Sequence, residues 1–401
     1  MSTYSPEEQP VATAPETEST HRAEDRDDVP LQPVRVGLVG ANWGLAHLAG
    51  WRAAPGVDVV AVCTAHRDTA EKVASQQSIP AAYWRVEDLI ADATIDLVDV
   101  TVRPAIRAPM GPSILRAGKH LLQPLPFALD LAQGRSLRDE GRATGRVSVV
   151  ESLHRHEPAA RQFKHLIDTG LVGEVRSIRG HVRSDILLSP PANWSYEWIV
   201  EPRHKASALR NFGAHLLHTL VWLFGPVAEL CATLSQNITE LVFADGRRKP
   251  NGTKDHAALL MRMESGADAS LDVSWGTPAA EGFGIEAIGT AGRLILTADR
   301  LGPQNARLLF AGLKDTTLGQ LPVHESFRRL ADAPAVIESA ENPRFFATAA
   351  MCHSVAQQVR GNTAECPGPS FAEGYYVMSL VEAAYHSAEA RCWVRPDPLE
   401  N

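Results

Sequence analysis

The first half of the chain alternates short apolar runs with amphipathic stretches. Apolar, β-branched runs predict strands at 34–40, 57–64, 95–102, 118–123 and 146–153, and the stretches between them predict helices, among them 67–77, 108–118 and 129–144. Strands that alternate with helices form a parallel, doubly wound sheet with helices on both faces. Ligands of such sheets bind beyond the carboxyl ends of the strands, so we expect a site at that edge.

The second half has a different pattern. Helices are predicted at 158–170, 208–225, 343–359 and 371–390, with a strand at 174–183 and a Pro/Trp-rich loop at 189–204. Several further runs between residues 228 and 298 alternate polar and apolar residues at period two, which is typical of an antiparallel sheet with one covered face. The sequence therefore predicts an α/β domain followed by an α+β domain, whose open sheet is mainly antiparallel and whose last helices return to the first domain.

Charge and composition indicate where the folded domains begin and which classes of protein are excluded. Residues 1–33 contain eight acidic and two basic residues and almost no large apolar side chain, which predicts a disordered acidic tail. We expect a dinucleotide-binding domain at 34–153 and a substrate-binding and oligomerisation domain at 154–395. The formal net charge of −8 argues against a nucleic-acid surface. The N-terminus is not a secretory signal, and no apolar run is long enough to span a membrane.

The five cysteines are scattered and include no Cys-x-x-Cys pair. This spacing supports neither a structural metal site nor a disulfide framework, so we expect a cytoplasmic protein without a bound metal.

The loop after the first strand predicts a cofactor site. Its residues Gly40, Asn42, Trp43 and Gly44 lie between a predicted strand and a predicted helix, where backbone amides can hold a pyrophosphate. The loop is one residue shorter than Gly-x-Gly-x-x-Gly and lacks the middle glycine. A strand–helix turn that binds nothing is the alternative, and the surrounding βαβ pattern favours the cofactor site.

The end of the second strand bears on which dinucleotide binds. An acidic residue there would grip an adenosine ribose hydroxyl, whereas Thr64 and Arg67 favour the 2′-phosphate of NADP(H), with NAD(H) as the other possibility. Arg67 could instead serve only the next helix. Arg103 and Gln123 follow or end later strands and are further candidate cofactor contacts.

From residue 34 to about residue 395 the chain resembles the Gfo/Idh/MocA family of nicotinamide-dependent oxidoreductases. The resemblance rests on GLVGANWGLAHLAGW, AGKHLLQPLPFAL, PAARQFKHLIDTGLVGEVRSIRGHV and RNFGAHLLHTLVWLFGPV, in that order and spacing. The GAN…WG loop, the AVCT strand end and GQLPVHESFRRL are similar to the branch that contains the yeast galactose-regulon repressor. The resemblance implies a Rossmann domain, a nicotinamide cofactor, a small-molecule substrate and a homodimer or homotetramer formed through the second sheet.

This chain departs from the family at the residues that the resemblance makes catalytic. Family members place a lysine from a Glu-Lys-Pro motif, and a His and an Asp from a second-domain helix, beside the reacting carbon, because hydride transfer at a carbinol is matched by proton transfer at its oxygen. The corresponding positions here are Pro124-Leu125-Pro126, Asn211, His215 and His218. Of that set, only His215 is retained.

Three functions are therefore open. The protein can be an oxidoreductase in which His215 relays the proton and Lys205, Tyr196 or His218 supplies the missing donor. It can be a sensor or regulator that binds a dinucleotide and a sugar-like ligand without turnover. It can also reduce a carbon–nitrogen double bond, as the thiazolinyl imine reductases of the same fold do, because an iminium is already electrophilic.

The substrate side of the site has its own candidates. His154 and His156 end the last predicted strand of the first sheet, at the edge where ligands bind. Asn211 precedes His215 by one helical turn, and Trp194 belongs to an aromatic loop suited to stacking on a sugar. Each of these residues could instead have a packing role.

Overall fold

The computed structural model describes residues 33–299, 301–337 and 345–400. Residues 1–32, which hold nearly all of the predicted acidic tail, lie outside the described residues. The first domain contains six parallel strands in the order β3-β2-β1-β4-β5-β6. These strands are β1 (Val34–Val39), β2 (Val57–Cys63), β3 (Ala81–Tyr83), β4 (Leu97–Val100), β5 (His120–Gln123) and β6 (Ser148–Val150). The order reverses between β1 and β4, which puts the crevice for a ligand there.

Helices cover both faces of this sheet. They are α1 (Trp43–Ala53), α2 (Arg67–Gln76), α3 (Val86–Ala91), α4 (Pro104–Arg107), α5 (Met110–Arg116) and α6 (Leu131–Thr144). The helix expected at 108–118 is present as α5, which begins two residues later, and the short α4 before it was not predicted. The sequence analysis also missed the three-residue strand β3.

The last strand of the sheet is shorter than predicted, which changes the positions of two histidines. β6 ends at Val150, and the Glu151 amide donates the next bond to the Gln123 carbonyl at 2.8 Å. Pro124 follows on the partner strand and has no N–H, so the ladder cannot continue. His154 and His156 consequently lie on a 3₁₀ turn, Leu153–His156, rather than at the end of a strand.

The second domain is built on an eight-stranded mixed sheet in the order β16-β15-β14-β13-β7-β12-β11-β8, in which only the β7–β12 pair is parallel among the described strands. The strands are β7 (Val175–Arg183), β8 (Val227–Ser235), β9 (Glu240–Val242), β10 (Arg248–Pro250), β11 (His256–Met263), β12 (Asp268–Ser274), β13 (Gly282–Gly289), β14 (Gly292–Ala298), β15 (Arg307–Gly312), β16 (Gly319–Leu321), β17 (Arg329–Leu330) and β18 (Ala333–Ile337). The pairs β9–β10 and β17–β18 are separate hairpins.

Helices α7 (Pro158–Asp168) and α8 (Ala214–Phe224) pack on one face of that sheet, where Phe163 and Leu216 are fully buried. A π-helical turn, Leu209–Gly213, precedes α8, so the regular helix begins six residues later than predicted. Two C-terminal helices, α9 (Phe345–Val359) and α10 (Phe371–Ala390), pack against the first domain: α9 covers α1, and α10 lies against α6 as well as β8.

Candidate active site

The loop between β1 and α1 is held tightly against the end of β4. Gly40 has a φ of +104°, and a methyl group at that position would lie 2.8 Å from Thr101 Oγ1. A methyl group at Gly44 would lie 2.9 Å from the same oxygen. Both positions therefore require glycine, Gly40 for its backbone conformation and both for the close approach to Thr101.

The start of α1 fits a bound pyrophosphate. The exposed Asn42 occupies the N-cap position, but its side chain does not accept a hydrogen bond from the helix. The amides of the first turn are thus not capped by that side chain, and a helix of eleven residues brings the positive end of its dipole to the loop. The close-packed glycines and the uncapped helix together fit the phosphates of a dinucleotide.

A buried carboxylate secures Trp43, the first residue of α1. The Trp43 indole N–H lies 3.1 Å from each oxygen of Glu151, which follows β6. On its other side Glu151 lies 3.6 Å from Nε2 of His47, whose Nδ1 lies 2.8 Å from Asp99. Trp51 donates its indole N–H to the same Asp99 oxygen at 2.8 Å. This series of buried polar contacts connects the cofactor loop to Asp99 on the central strand β4.

The charges of this network balance. Burial by itself lowers the pKa of His47, but Asp99 and Glu151 outweigh it and raise the pKa to about 10, so His47 is a cation at neutral pH. Burial raises the pKa of Glu151, and His47 opposes it strongly enough that the net shift is downward. The buried Arg107 donates to the carbonyls of Val102 and Pro126; burial lowers its pKa to about 10, which leaves it protonated.

Thr64 and Arg67 lie where the sequence analysis placed them, beyond β2. The Thr64 hydroxyl donates to the His66 carbonyl at 2.9 Å. The exposed Arg67 guanidinium pairs with Glu71 at 2.7 Å and stacks on Trp84, 4.8 Å from the ring centroid. Arg67 therefore stands at the surface with one carboxylate partner.

The two other predicted cofactor contacts lie in different surroundings. Arg103 is exposed at the N-cap of α4, after β4. Gln123 is buried, and its side-chain amide donates to the Phe127 carbonyl at 2.9 Å. The Gln123 amide thus supports the loop that follows β5, and a direct contact with a cofactor stays a prediction.

His215 and His154 lie together between the two domains' elements. Their ring centroids are 5.3 Å apart, and the His154 ring also meets the edge of Phe283 on β13 at 5.0 Å. Thr219 joins them, since its hydroxyl lies 3.4 Å from His154 Nδ1 and donates to the His215 carbonyl at 2.9 Å. The 3₁₀ turn after β6, helix α8 and strand β13 therefore meet at this histidine pair.

His215 is poised to accept a proton. Burial lowers its pKa to about 4 although the nearby Glu151 charge opposes the shift, so the imidazole is neutral at pH 7. Its Nδ1 is buried and has no hydrogen-bond partner among the described residues. A neutral imidazole with an unused ring nitrogen suits general base chemistry.

His218 and Asn211 occupy other places on the same segment. His218 is fully buried, and its Nδ1 lies 3.9 Å from Glu373 on α10, which also pairs with Arg155. Burial lowers the pKa of His218. Asn211 is half-buried in the π-helical turn before α8. The structure thus turns His218 toward α10, while Asn211 stays one turn ahead of His215.

The loop candidates lie nearer the surface. Lys205 is exposed and has a φ of +51°; its backbone N–H donates to the Pro202 carbonyl at 3.0 Å, and its side chain has no hydrogen bond or ion pair with the described residues. Tyr196 is 40% exposed, and Trp194 is half-buried against the core. No contact between these three side chains and His215 is seen within the described ranges.

The position that the sequence analysis aligned with the family lysine is apolar in the structure. Leu125 is 8% exposed and belongs to the main hydrophobic cluster. No amine can act from that position, although the buried cation Arg107 binds the carbonyl of the next residue, Pro126.

Sequence reasoning missed the buried charges His47, Asp99, Glu151 and Arg107. A signal was present, because Asp99 and Glu151 interrupt the apolar runs IDLVDVTV and RVSVVESL. A carboxylate in a predicted buried strand requires a partner, and that requirement alone marks both positions. The partners themselves come from other elements and cannot be inferred from the runs.

Comparison with known proteins assigns both halves of the chain. Residues 34–152 match the model of an oxidoreductase family with an NAD-binding Rossmann fold, and residues 160–295 match the Gfo/Idh/MocA C-terminal domain. The chain belongs to the Gfo/Idh/MocA family of oxidoreductases. The family resemblance and the fold class predicted from the sequence are therefore confirmed.

Family members of similar length cover nearly the whole chain. An uncharacterised oxidoreductase of Synechocystis sp. is 23% identical over 374 residues, which span 91% of this chain and 96% of the relative. Levoglucosan dehydrogenase of Pseudarthrobacter phenanthrenivorans is 23% identical over 91% of this chain and 98% of its own. A structure of levoglucosan dehydrogenase with NADH and L-sorbose superposes with a TM-score of 0.79 at 22% identity, covering 92% of this chain and all of that one.

The described residues contain neither a candidate metal site nor a helix that could span a membrane. No three His, Cys, Asp or Glu side chains there converge as they would around a metal ion. None of the helices in the described ranges is both long and apolar enough to cross a membrane.

Proposed function

We propose that this family member is an NAD(P)H-dependent oxidoreductase that transfers a hydride between nicotinamide and a carbonyl or carbinol carbon of a small, sugar-like molecule, with His215 as the proton relay. The observation that carries the proposal is the histidine pair, in which a neutral His215 with an unpartnered buried Nδ1 lies beside His154. Levoglucosan dehydrogenase, a sugar dehydrogenase of similar length and fold, supports the substrate class.

The residues have separate tasks in this proposal. The Gly40–Gly44 loop and the first turn of α1 bind the pyrophosphate, and a bound nicotinamide supplies or accepts the hydride. His215 accepts the hydroxyl proton during oxidation, which its neutral state at pH 7 allows, and in the reverse direction the protonated imidazole returns that proton. His154, Asn211 and Trp194 are the proposed substrate contacts, and Tyr196, Lys205 or His218 the proposed second donor.

The choice of cofactor follows from Arg67. We infer a preference for NADP(H), since no acidic residue closes β2 and Arg67 stands at the surface beside it. NAD(H), the cofactor of the family model, is the other expected ligand.

Cofactor fluorescence and turnover test the proposal. We expect micromolar binding of NADPH, and oxidation of NADPH when a suitable keto-sugar such as L-sorbose is offered within a panel of sugars. His215→Ala should abolish turnover and leave cofactor binding near the wild-type level. A fluorescence titration that shows no binding of either NADPH or NADH would refute the enzyme function. Loss of cofactor binding in His215→Ala would indicate that His215 has a structural role.

One observation favours a second candidate reaction. Leu125 is buried where the family lysine stands, and reduction of an imine needs no such amine because an iminium is already electrophilic. A cyclic imine in the same panel distinguishes the two reactions. Cofactor binding without turnover of either class would instead support the regulator function, as in the galactose-regulon repressor branch that the sequence resembles.

We further propose a homodimer or homotetramer formed through the uncovered face of the second sheet, in the cytoplasm. That face carries exposed ion pairs such as Arg183–Asp272 and Arg262–Glu229. Charged pairs on a contact surface are screened by salt, so we expect the oligomer seen by light scattering to weaken at high ionic strength. All five cysteines are free, as a reducing compartment would keep them.

A further inference from the structure

Glu151 is the point at which the cofactor loop is tied to the sheet. It is 3% exposed and follows β6, 108 residues beyond Trp43 in the sequence. Both of its oxygens lie 3.1 Å from the Trp43 indole nitrogen. Because Trp43 is the first residue of α1, this bond fixes the place where the Gly40–Gly44 loop becomes a helix.

The energetic cost of burying Glu151 is offset by His47, which lies 3.6 Å away and is itself paired with Asp99. Asp99, Glu151, His47 and Arg107 are 0%, 3%, 1% and 4% exposed, and they amount to two negative and two positive charges. A buried charge persists only if it is paired and hydrogen-bonded. Asp99 lies near the carboxyl end of β4, Glu151 follows the carboxyl end of β6, and His47 lies on α1.

Glu151 also acts on the other side of the site. Its charge is the main favourable influence on the protonated form of His215, against the burial that lowers the pKa of that imidazole. One side chain therefore touches the cofactor loop and influences the proton relay.

We propose that Glu151 is a positioning residue of the dinucleotide site, which holds the Trp43 indole, and with it the start of α1, in the geometry that receives the pyrophosphate. The proposal rests on the proposed function for its ligand. It assigns to the Asp99–His47–Glu151–Arg107 cluster the task of keeping this one carboxylate ionised in the protein interior.

NADH affinity separates this role from plain electrostatics. Removing a negative charge near a phosphate site should tighten NADH binding if Glu151 acts only through its charge. We expect the opposite, at least about tenfold weaker NADH binding in Glu151→Gln, because a neutral amide holds the Trp43 indole N–H less strongly than the carboxylate does. Unchanged or tighter NADH binding in a folded Glu151→Gln protein would overturn the proposal.

A double-mutant cycle tests whether Glu151 acts through Trp43. Trp43→Phe keeps an aromatic ring but removes the indole N–H, so it should weaken NADH binding by a similar factor. The double variant should then bind no more weakly than Trp43→Phe alone, since Glu151→Gln weakens and Trp43→Phe removes the same bond. Additive losses would show that Glu151 acts elsewhere and would contradict the anchoring role.

A matched buried carboxylate provides the control for stability. Asp255 is 2% exposed and accepts the amides of Asn237 at 2.9 Å and Ile238 at 2.8 Å, in the second domain. Asp255→Asn should lower the melting temperature without changing NADH affinity. An equal loss of NADH affinity in Asp255→Asn would show that any buried carboxylate has this effect, and the specific role of Glu151 would be refuted.

The indole resonance of Trp43 gives a readout that does not need a cofactor. Trp43→Phe assigns its N–H signal among those of the eight tryptophans. Glu151→Gln should shift that signal upfield, because a bond to a neutral amide is weaker than one to a carboxylate. If wild-type protein binds neither NADH nor NADPH, the proposed function fails, whereas an unmoved Trp43 signal would refute the anchor itself.

Discussion

Replacing Gly40 with alanine tests the packing of the cofactor loop most directly. The new methyl group would lie 2.8 Å from Thr101 Oγ1 and 3.1 Å from Val102 Cγ1, on a residue whose φ is +104°. The backbone conformation costs about 1–2 kcal/mol for a residue with a side chain. The close contacts add about 1–3 kcal/mol, a value typical of overpacking. We therefore expect the free energy of unfolding to fall by about 2–5 kcal/mol and the loop to move away from β4.

Gly118→Ala is the matched control for this substitution. Gly118 belongs to the same domain and has a φ of +79°, but a methyl group there meets nothing within 4 Å. Gly118→Ala should lose only the backbone contribution, about 1–2 kcal/mol, and should leave NADH affinity unchanged.

Urea unfolding and NADH fluorescence titration measure the two effects. Gly40→Ala should bind NADH at least about tenfold more weakly than Gly118→Ala, and the added change Thr101→Ala should restore part of the lost stability by removing the nearest atom. Equal losses of stability and affinity in the two glycine variants would refute the argument from packing.

Three further predictions concern the charges and the missing lysine. Glu71→Gln removes the carboxylate partner of Arg67 and should tighten NADPH binding by up to about fivefold, which corresponds to the free energy of a surface ion pair. NADH affinity is the control and should not change. Tighter binding of both cofactors would exclude a contact between Arg67 and the 2′-phosphate. Leu125→Lys places an unpaired amine in the core, so it should lower the melting temperature without raising turnover, and a large gain in turnover would mean that the site had only decayed. The free energy of unfolding should fall as the pH drops from about 6.5 to 4, because in that range His215 binds a proton only in the unfolded protein. It should also fall as the pH rises from about 6.5 toward 10, because in that range His47 keeps its proton only in the folded protein. Urea unfolding across this range should show that His47→Gln reduces the alkaline loss, and an unchanged slope would refute it.

Much of the fold could be predicted because it depends on local pattern. The parallel sheet follows from apolar runs that alternate with helices, and the open second sheet follows from the alternation of β11, β12 and β14. The errors fell where a neighbouring strand decides the outcome. The proline that ends the β5–β6 ladder is visible in the sequence, but its effect on His154 and His156 depends on which strand it faces.

The candidate site could be predicted only in part. The loop Gly40–Gly44 and His215 are marked by local sequence and by the family pattern. The Trp43–Glu151 bond joins a residue after the central strand β1 to one after the edge strand β6, and its strength depends on burial that the sequence does not state. Lys205 and His218 have the right chemistry at the right spacing, yet the first is exposed and the second faces α10.

Helix α9 packs over α1, and this contact determines which fragments of the chain can fold without exposing apolar surface. Gly50 lies so close to Thr348 that a methyl group would approach it to 2.8 Å, and Trp51 on the same helix is fully buried. During translation α1 leaves the ribosome roughly 300 residues before α9, the helix that covers it. A fragment that ends near residue 153 would expose the apolar side of α1 and aggregate. Only the full-length chain should yield a soluble nucleotide-binding protein.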